Sequence, residues 1–269
     1  MNQQPSVRQR GSSALLQLAG PLLVLILLGL AWQLLVTLLQ VSPVLLPGPR
    51  AVMTAGWKIR DSLLVATGRT AVAALGGLLV SCCCGTVTAF VFAQSQIIRR
   101  ALYPYAVLLQ TVPVIAIAPI IIVSLGRGFL SVALVACILS LFPIITSTTT
   151  GLLQTDPLLQ DLFRLHRATR WQTLIRLRVP GALPYLISGI RIASGSAIVG
   201  AIVGEFFVGS SESGLGALIQ RKSTQLVLSE LYATVITATL LGTLVFSLIT
   251  VLSEQVLRRW FGMSLSGRN

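Results

Sequence analysis

The chain has 269 residues, of which 54% are hydrophobic and only 10% charged, well below the ~25% charged residues of soluble domains. Its 20 basic and 7 acidic residues give a net charge of +13. The basic residues lie between long apolar runs rather than on one polar face, so anionic membrane lipid is a better partner for them than nucleic acid. This composition excludes an ordinary soluble protein and indicates an integral membrane protein.

Six long apolar runs predict six transmembrane helices. The first run exceeds the apolar core of a signal peptide and no clear cleavage site follows it, so we interpret it as an uncleaved span. The predicted spans are about 15–39, 70–93, 101–125, 129–150, 185–208 and 231–257. The sequence therefore predicts an all-α membrane domain, 15–257, flanked by tails 1–14 and 258–269, with one long polar loop, 155–180, between spans four and five.

The distribution of basic residues predicts the orientation of the chain. With both termini in the cytoplasm, twelve of the twenty bases lie in cytoplasmic segments and seven in outer segments, with Arg191 inside the fifth span. Basic residues favour the cytoplasmic side of a membrane. We therefore expect both tails and the loop 155–180 to be cytoplasmic.

Prolines and polar residues interrupt the third and fourth spans. A proline such as Pro113 or Pro143 removes a backbone donor, which lipid cannot replace, so these breaks require neighbouring helices or a wet cavity. Polar side chains accompany them, at Gln110, Thr111, Ser140 and Ser147 among others. These side chains either form hydrogen bonds between helices or line a translocation path.

The sequence offers little catalytic or metal-binding chemistry. The cysteines, 82–84 and Cys137, lie inside apolar stretches without a CxxC pattern, and His166 is the only histidine. Neither lysine, Lys58 or Lys222, follows the glycine that a phosphate-binding P-loop requires. The chain is therefore not expected to hydrolyse ATP, and active transport would need a partner ATPase or an ion gradient.

A gradient-driven carrier is the competing class of function, and it usually places acidic residues in mid-membrane. Here only Glu205 is predicted within a span, near the outer end of the fifth. It either belongs to the translocation path or its gate, or is a structural acid paired with a base. Arg191 lies about 21 Å away along the same helix, which excludes that pairing within the helix.

The polar loop 155–180 has the pattern of two short amphipathic helices. Asp156 suits a helix N-cap and Pro157 the first helical position. A second helix is predicted to start at Thr169, where Thr-Arg-Trp-Gln has the capping-box pattern, and to end at Val179-Pro180. The two helices either lie on anionic lipid or form a docking element for a partner protein.

At this loop the sequence resembles the permeases of binding-protein-dependent ATP-binding-cassette importers. In the family this loop carries Glu-Ala-Ala, followed after three residues by Gly and further on by Leu-Pro. In this chain Asp161-Leu162-Phe163 takes the place of Glu-Ala-Ala, Arg167 that of Gly, and Val179-Pro180 that of Leu-Pro. Similar segments are LLPGPRAV at 45–52, QTVPVIAIAP at 110–119, 181–207 and GLGALI at 214–219. The resemblance covers nearly the whole chain, and is closest to the nitrate, bicarbonate, taurine and aliphatic sulfonate branch, which includes pyrimidine-precursor and riboflavin permeases.

The resemblance implies a bacterial inner-membrane subunit that works with a separate ATPase, an extracytoplasmic solute-binding protein and a second permease copy. ATP and Mg would be held by the ATPase, and this chain would need no cofactor. The implied ATPase-coupling residues are Asp161, Leu162, Phe163, Arg164, Leu165, Arg167, Ala168, Thr169 and Pro180. The candidate path residues are Gln110, Thr111, Ser140, Ser147 and Glu205. A small anion is the first choice of substrate, and a vitamin or vitamin precursor is the second.

The loop departs from the family pattern at three positions. Leu162 and Phe163 replace small residues, and Arg167 replaces the glycine. If the turn requires positive φ, the arginine would be strained there. The contact with the ATPase is therefore either rebuilt, with Arg167 reaching an acidic groove, or weakened.

Overall fold

The computed structural model describes residues 7–40, 42, 45–209 and 214–261, with side chains at 20, 23–40, 42, 45–209 and 214–259. Within these residues the fold consists of helices and contains no strand. The helices are α1 Val7–Leu38, α2 Pro49–Lys58, α3 Arg60–Gln94, α4 Gln96–Thr111, α5 Val114–Leu125, α6 Phe129–Leu153, α7 Pro157–Leu165, α8 Arg170–Thr173, α9 Val179–Val208, α10 Leu215–Thr224 and α11 Leu228–Phe261, with a π-helical turn Leu174–Arg178 between α8 and α9. The outer parts of both predicted tails, and Glu212, lie outside the described residues.

Within the residues that the structure describes, four helices are long and apolar enough to cross a membrane. They are α3, α6, the continuous helix Arg170–Val208 and Leu228–Arg259 within α11. The pair α4 and α5 adds a fifth crossing where its two halves count as one broken span. In α1, the shorter apolar stretch Leu23–Leu38 falls within the first predicted span. The all-helical membrane fold is confirmed, and the number of six spans stays a prediction.

The predicted third span, 101–125, is not one straight helix. Its two halves, α4 and α5, meet at a bend of 96°. Val112 and Pro113 between them are extended, with ψ of 127° and 112°, and Pro113 has no N–H with which to continue the hydrogen-bond ladder of α4. The proline break expected in this span therefore falls at Pro113 and separates two helices with different directions.

The predicted end of the second loop helix at Val179-Pro180 is wrong. The helix that begins at Arg170 continues to Val208 through the π-helical turn. Such a turn shifts the hydrogen-bond ladder, and Pro180 follows it as the second residue of the resumed α-helix, where a missing N–H is tolerated. The fifth membrane helix therefore starts well before the predicted residue 185 and includes part of the polar loop. Helix α3 likewise begins at Arg60 rather than near Thr70.

Close packing of α3, α6 and α9 forms the centre of the core. Ala136 of α6 is fully buried, and the backbone of α6 approaches Gly77 of α3 on one side and Gly200 of α9 on the other. A Cβ atom at Gly200 would lie 2.7 Å from the Cα atom of Ala136, which shows how little space separates the helices. Small residues allow membrane helices to approach this closely. The core therefore holds α6 against both of its neighbours.

Candidate functional site

Helix α7 presents an apolar surface that the described residues leave exposed. Its N-terminus is capped as predicted, since the Asp156 carboxylate accepts a hydrogen bond from the Leu158 N–H at 2.9 Å. None of the residues in α7 is buried. Leu158 and Leu165 are 78% and 81% exposed, and Leu162 between them is 47% exposed. An apolar row of this kind on a polar loop is typical of a surface that another molecule covers.

The turn after α7 places Arg167 in the left-handed region, with φ of 51°. The backbone there closes through two hydrogen bonds, from the Arg167 N–H to the Arg164 carbonyl at 2.9 Å and from the Ala168 N–H to the Phe163 carbonyl at 3.0 Å. A residue with a Cβ atom is destabilised in this conformation by about 1–2 kcal/mol relative to glycine. The condition given in the sequence analysis, a positive φ at this place, is therefore met, and Arg167 occupies a backbone conformation that favours glycine.

Replacing Arg167 by glycine is expected to stabilise the chain by about 1 kcal/mol, because glycine adopts this backbone conformation without a clash. Equilibrium unfolding of the purified chain in detergent would measure the change. Arg167→Ala is the matched control, since it removes the charge but keeps the Cβ atom and should give no comparable gain. An equal gain in both variants would show that the side chain, and not the backbone, is responsible.

A capping box begins the next helix, as predicted. The Thr169 hydroxyl accepts a hydrogen bond from the Gln172 N–H at 3.2 Å, and the Gln172 side-chain carbonyl accepts one from the Thr169 N–H at 2.8 Å. These reciprocal bonds satisfy donors that a helix start leaves free. They fix the point at which the chain leaves the α7 turn and enters the continuous helix Arg170–Val208.

Contacts with α3 and α6 attach this connection to the bundle. Leu174 of the π-helical turn is buried with Ala93 and Leu152. The Arg178 guanidinium donates to the Ala93 carbonyl at 3.2 Å, and the Tyr185 hydroxyl donates to Gln154 at 2.7 Å. These contacts hold the start of the helix Arg170–Val208, rather than α7 itself, against α3 and α6.

The predicted ATPase-coupling residues are contiguous in the structure. Asp161, Leu162, Phe163, Arg164 and Leu165 lie in α7, and Arg167, Ala168 and Thr169 form the following turn. Arg164 and Asp161 form an exposed ion pair at 3.2 Å. Pro180 lies apart from them, beyond the π-helical turn.

A second polar cluster lies at the opposite end of the bundle, around Glu205. The Glu205 carboxylate accepts hydrogen bonds from the Thr70 hydroxyl at 2.8 Å and from the Gly216 N–H at 3.0 Å. The Thr70 hydroxyl also accepts one from the Leu215 N–H at 2.9 Å. Glu205 and Thr70 together satisfy the N-terminus of α10, a position that favours negative charge. The described partners of Glu205 are therefore a hydroxyl and a backbone N–H rather than Arg191, and its place in a translocation path or gate stays a prediction.

The role of Thr70 was missed in the sequence analysis. Its partners lie 135 and 145 positions away along the chain, so no local pattern indicates them. The sequence contains one indirect signal for this cap: the start of α10, which follows soon after Glu205, is rich in glycine. The first N–H groups of a helix have no partner within it, and a helix start that another element can approach closely can receive its hydrogen bonds from that element.

The structure does not bring the five candidate path residues together. Gln110 and Thr111 are exposed at the end of α4, beside the bend. Ser140 is fully buried and donates to the Ala136 carbonyl of its own helix at 2.7 Å, and Ser147 is half-buried. Glu205 lines a cavity of about 690 Å³, and none of the other four candidate path residues lines it. Their part in a path stays a prediction.

The described residues contain no cluster of three or more His, Cys, Asp or Glu side chains that could bind a metal ion.

The comparison with known proteins identifies the family. The model of the binding-protein-dependent transport system inner membrane component matches residues 81–262, which contain the whole connection from α6 to α9. The chain belongs to this family. It is a membrane permease of a binding-protein-dependent ATP-binding-cassette importer, a transport subunit rather than an enzyme in itself.

Curated relatives extend the similarity over most of the permease. The formylaminopyrimidine transport permease protein of Halalkalibacterium halodurans is 34% identical over 91% of this chain and 96% of its own length. The riboflavin transport system permease protein of Chloroflexus aurantiacus is 33% identical over 88% of each chain. A putative aliphatic sulfonates transport permease protein of Bacillus subtilis is 26% identical over 84% of this chain and 82% of its own. The predicted family and its nitrate and sulfonate branch are confirmed, together with the membrane-transport class.

Proposed function

We propose that this chain forms the membrane path of an importer whose ATP is hydrolysed by a separate ATPase subunit docked on α7 and the turn that follows. The observation that supports this most directly is the uncovered row of Leu158, Leu162 and Leu165. Neither lysine of the chain follows a P-loop glycine, so ATP and Mg would be bound by the partner. The residues proposed to meet it extend from Asp161 to Thr169, with Pro180 transmitting the movement into α9.

The proposed topology places α7 and both termini in the cytoplasm, in agreement with the excess of basic residues on that side. The solute-binding protein would then dock at the opposite end, where α2 and α10 lie. A second copy of the permease would complete the path, because the candidate polar residues Gln110 and Thr111 face outward from a single subunit. Lipid would contact the apolar surfaces that remain exposed.

The proposed substrate is a small heterocyclic compound related to vitamins. Two permeases named for such compounds, formylaminopyrimidine and riboflavin, share 34% and 33% of residues with this chain over most of its length. This similarity reverses the order of the two substrate classes in the sequence analysis, where an anion came first. The anion is the second candidate, supported by the 26% identity with sulfonate and nitrate permeases.

Transport by the complete complex would test both parts of the proposal. The permease would be reconstituted in liposomes with its ATPase, its binding protein and labelled formylaminopyrimidine, riboflavin, taurine or nitrate. We expect uptake of a heterocyclic compound that requires ATP hydrolysis and the binding protein, whereas uptake of an anion alone would favour the second candidate. A chain lacking residues 161–169 is the control, expected to insert normally but to transport nothing. Uptake by the permease alone under an ion gradient would contradict the importer mechanism.

A further inference from the structure

A cavity of about 740 Å³ lies behind the α7 turn, on the side that faces the bundle. Its wall is formed by the end of α3, the start of α4, the end of α6, and the segment from α7 to the π-helical turn. Four arginines line it, one from each of four elements: Arg99, Arg164, Arg170 and Arg178. The other polar lining residues are Gln94, Gln96, Gln160 and Thr173.

The positive charge of this cavity is poorly compensated. Among the residues that line it there is no acidic side chain. Arg164 pairs with Asp161 outside the lining, but that ion pair is exposed and therefore weak. Arg178 donates to the Ala93 carbonyl, while its Nε atom is buried and has no hydrogen-bond partner in the described part of the chain. A buried donor without a partner is unfavourable. Separately, an anionic ligand in the cavity would offset the positive charge of the arginines that line it.

The lining matches the chemistry of a phosphate group. Guanidinium groups bind phosphate oxygens through paired, charge-assisted hydrogen bonds, and several arginines around one cavity provide both charge and donors. Gln94, Gln96 and Gln160 add neutral donors. The apolar row formed by Leu158, Leu162 and Leu165 is absent from this lining, although Arg164 and Ala168 belong both to the lining and to the segment proposed to meet the ATPase.

We propose that this cavity binds a phosphate group, supplied by the headgroup of an anionic phospholipid or by free phosphate. Gln94 ends α3, a helix long and apolar enough to cross a membrane, and Gln96 begins α4, so the cavity lies at one end of a candidate membrane span, the kind of position at which basic residues meet anionic headgroups. A bound phosphate would bridge Arg99 of α4 to Arg164 and Arg170 on either side of the α7 turn. It would thereby hold the turn against the bundle.

Binding to the full-length permease tests the proposal. The purified chain would be incorporated into nanodiscs of phosphatidylcholine with a small fraction of phosphatidylglycerol, and retained phosphatidylglycerol would be counted by native mass spectrometry. In a second arm, the thermal midpoint in phosphatidylcholine alone would be followed as inorganic phosphate is added at constant ionic strength. Binding in the first arm assigns the site to lipid, and binding in the second alone assigns it to free phosphate.

Arg99→Gln and Arg170→Gln are the test variants, and Arg100→Gln is the matched control because Arg100 is exposed and does not line the cavity. Each test variant should weaken binding about tenfold, the loss of about one charge-assisted hydrogen bond, while the control should bind within about twofold of the natural chain. The two variants lie on different elements, and circular dichroism would verify the fold of each. Equal loss in the control, or no binding in either arm, would overturn the proposal. Co-purification of the ATPase is a separate readout and would be unaffected by such a failure.

Discussion

Substitution of both Leu162 and Leu165 by aspartate should weaken binding of the partner ATPase by about 100-fold or more. Both side chains are exposed on α7, and burial of a leucine typically contributes about 1.5–3 kcal/mol. Loss of two such contacts amounts to about 3 kcal/mol or more, and each 1.4 kcal/mol changes a dissociation constant about tenfold. Binding of the ATPase to nanodisc-embedded permease, measured by interferometry, would give the effect directly.

Leu226→Asp is the matched control for this experiment. Leu226 is also exposed, at 72%, but lies between α10 and α11, at the end of the bundle away from α7. It should leave ATPase binding unchanged, so a loss specific to the α7 variant cannot be attributed to an added negative charge. If the α7 variant also bound normally, the docking surface would have to lie elsewhere on the chain.

Substitution of Gly77 or Gly200 by valine should destabilise the bundle by about 3 kcal/mol or more. A Cβ atom at Gly77 would lie 2.5 Å from the Ala133 carbonyl oxygen and 2.7 Å from the Ala136 Cβ atom. At Gly200 it would lie 2.7 Å from the Ala136 Cα atom. These neighbours are largely backbone atoms, which no side-chain rotation can move away, so α3 or α9 would be pushed off α6. Thermal unfolding and the yield of monodisperse protein would report the loss.

Gly68 and Gly195 provide the matched controls, because nothing lies within 4 Å of a Cβ atom added at either position. Valine there should have little effect or stabilise slightly, since it has a higher helix propensity than glycine. If valine were equally disruptive at all four positions, the close approach of α3, α6 and α9 would not explain the result.

Local sequence patterns accounted for most of the helices and for the start of the loop between α6 and α9. Long apolar runs were sufficient to predict membrane helices, because such runs have few alternatives in a bilayer. Asp156 and Thr169 were predicted as caps from their immediate neighbours, and both form those hydrogen bonds. The strain at Arg167 followed from the glycine expected at that place in the family.

Features that depend on distant contacts were not accessible in this way. Pro113 predicts an interruption, but no local pattern gives the 96° angle between α4 and α5. Pro180 was expected to end a helix, whereas the preceding π-helical turn allows the helix to continue. The cap that Thr70 and Glu205 provide for α10 joins segments far apart in the chain, and only the folded structure brings them together.

The unbroken helix from Arg170 to Val208 has a mechanical consequence. Its 39 residues extend about 58 Å, nearly twice the ~30 Å hydrocarbon thickness of a bilayer. One end carries the α7 turn, and the other carries Glu205, which holds the start of α10. In the proposed topology, a tilt of this helix at its α7 end would therefore move α10 sideways at the opposite end. One continuous helix could then couple a movement of the docked ATPase to the outer side of the permease.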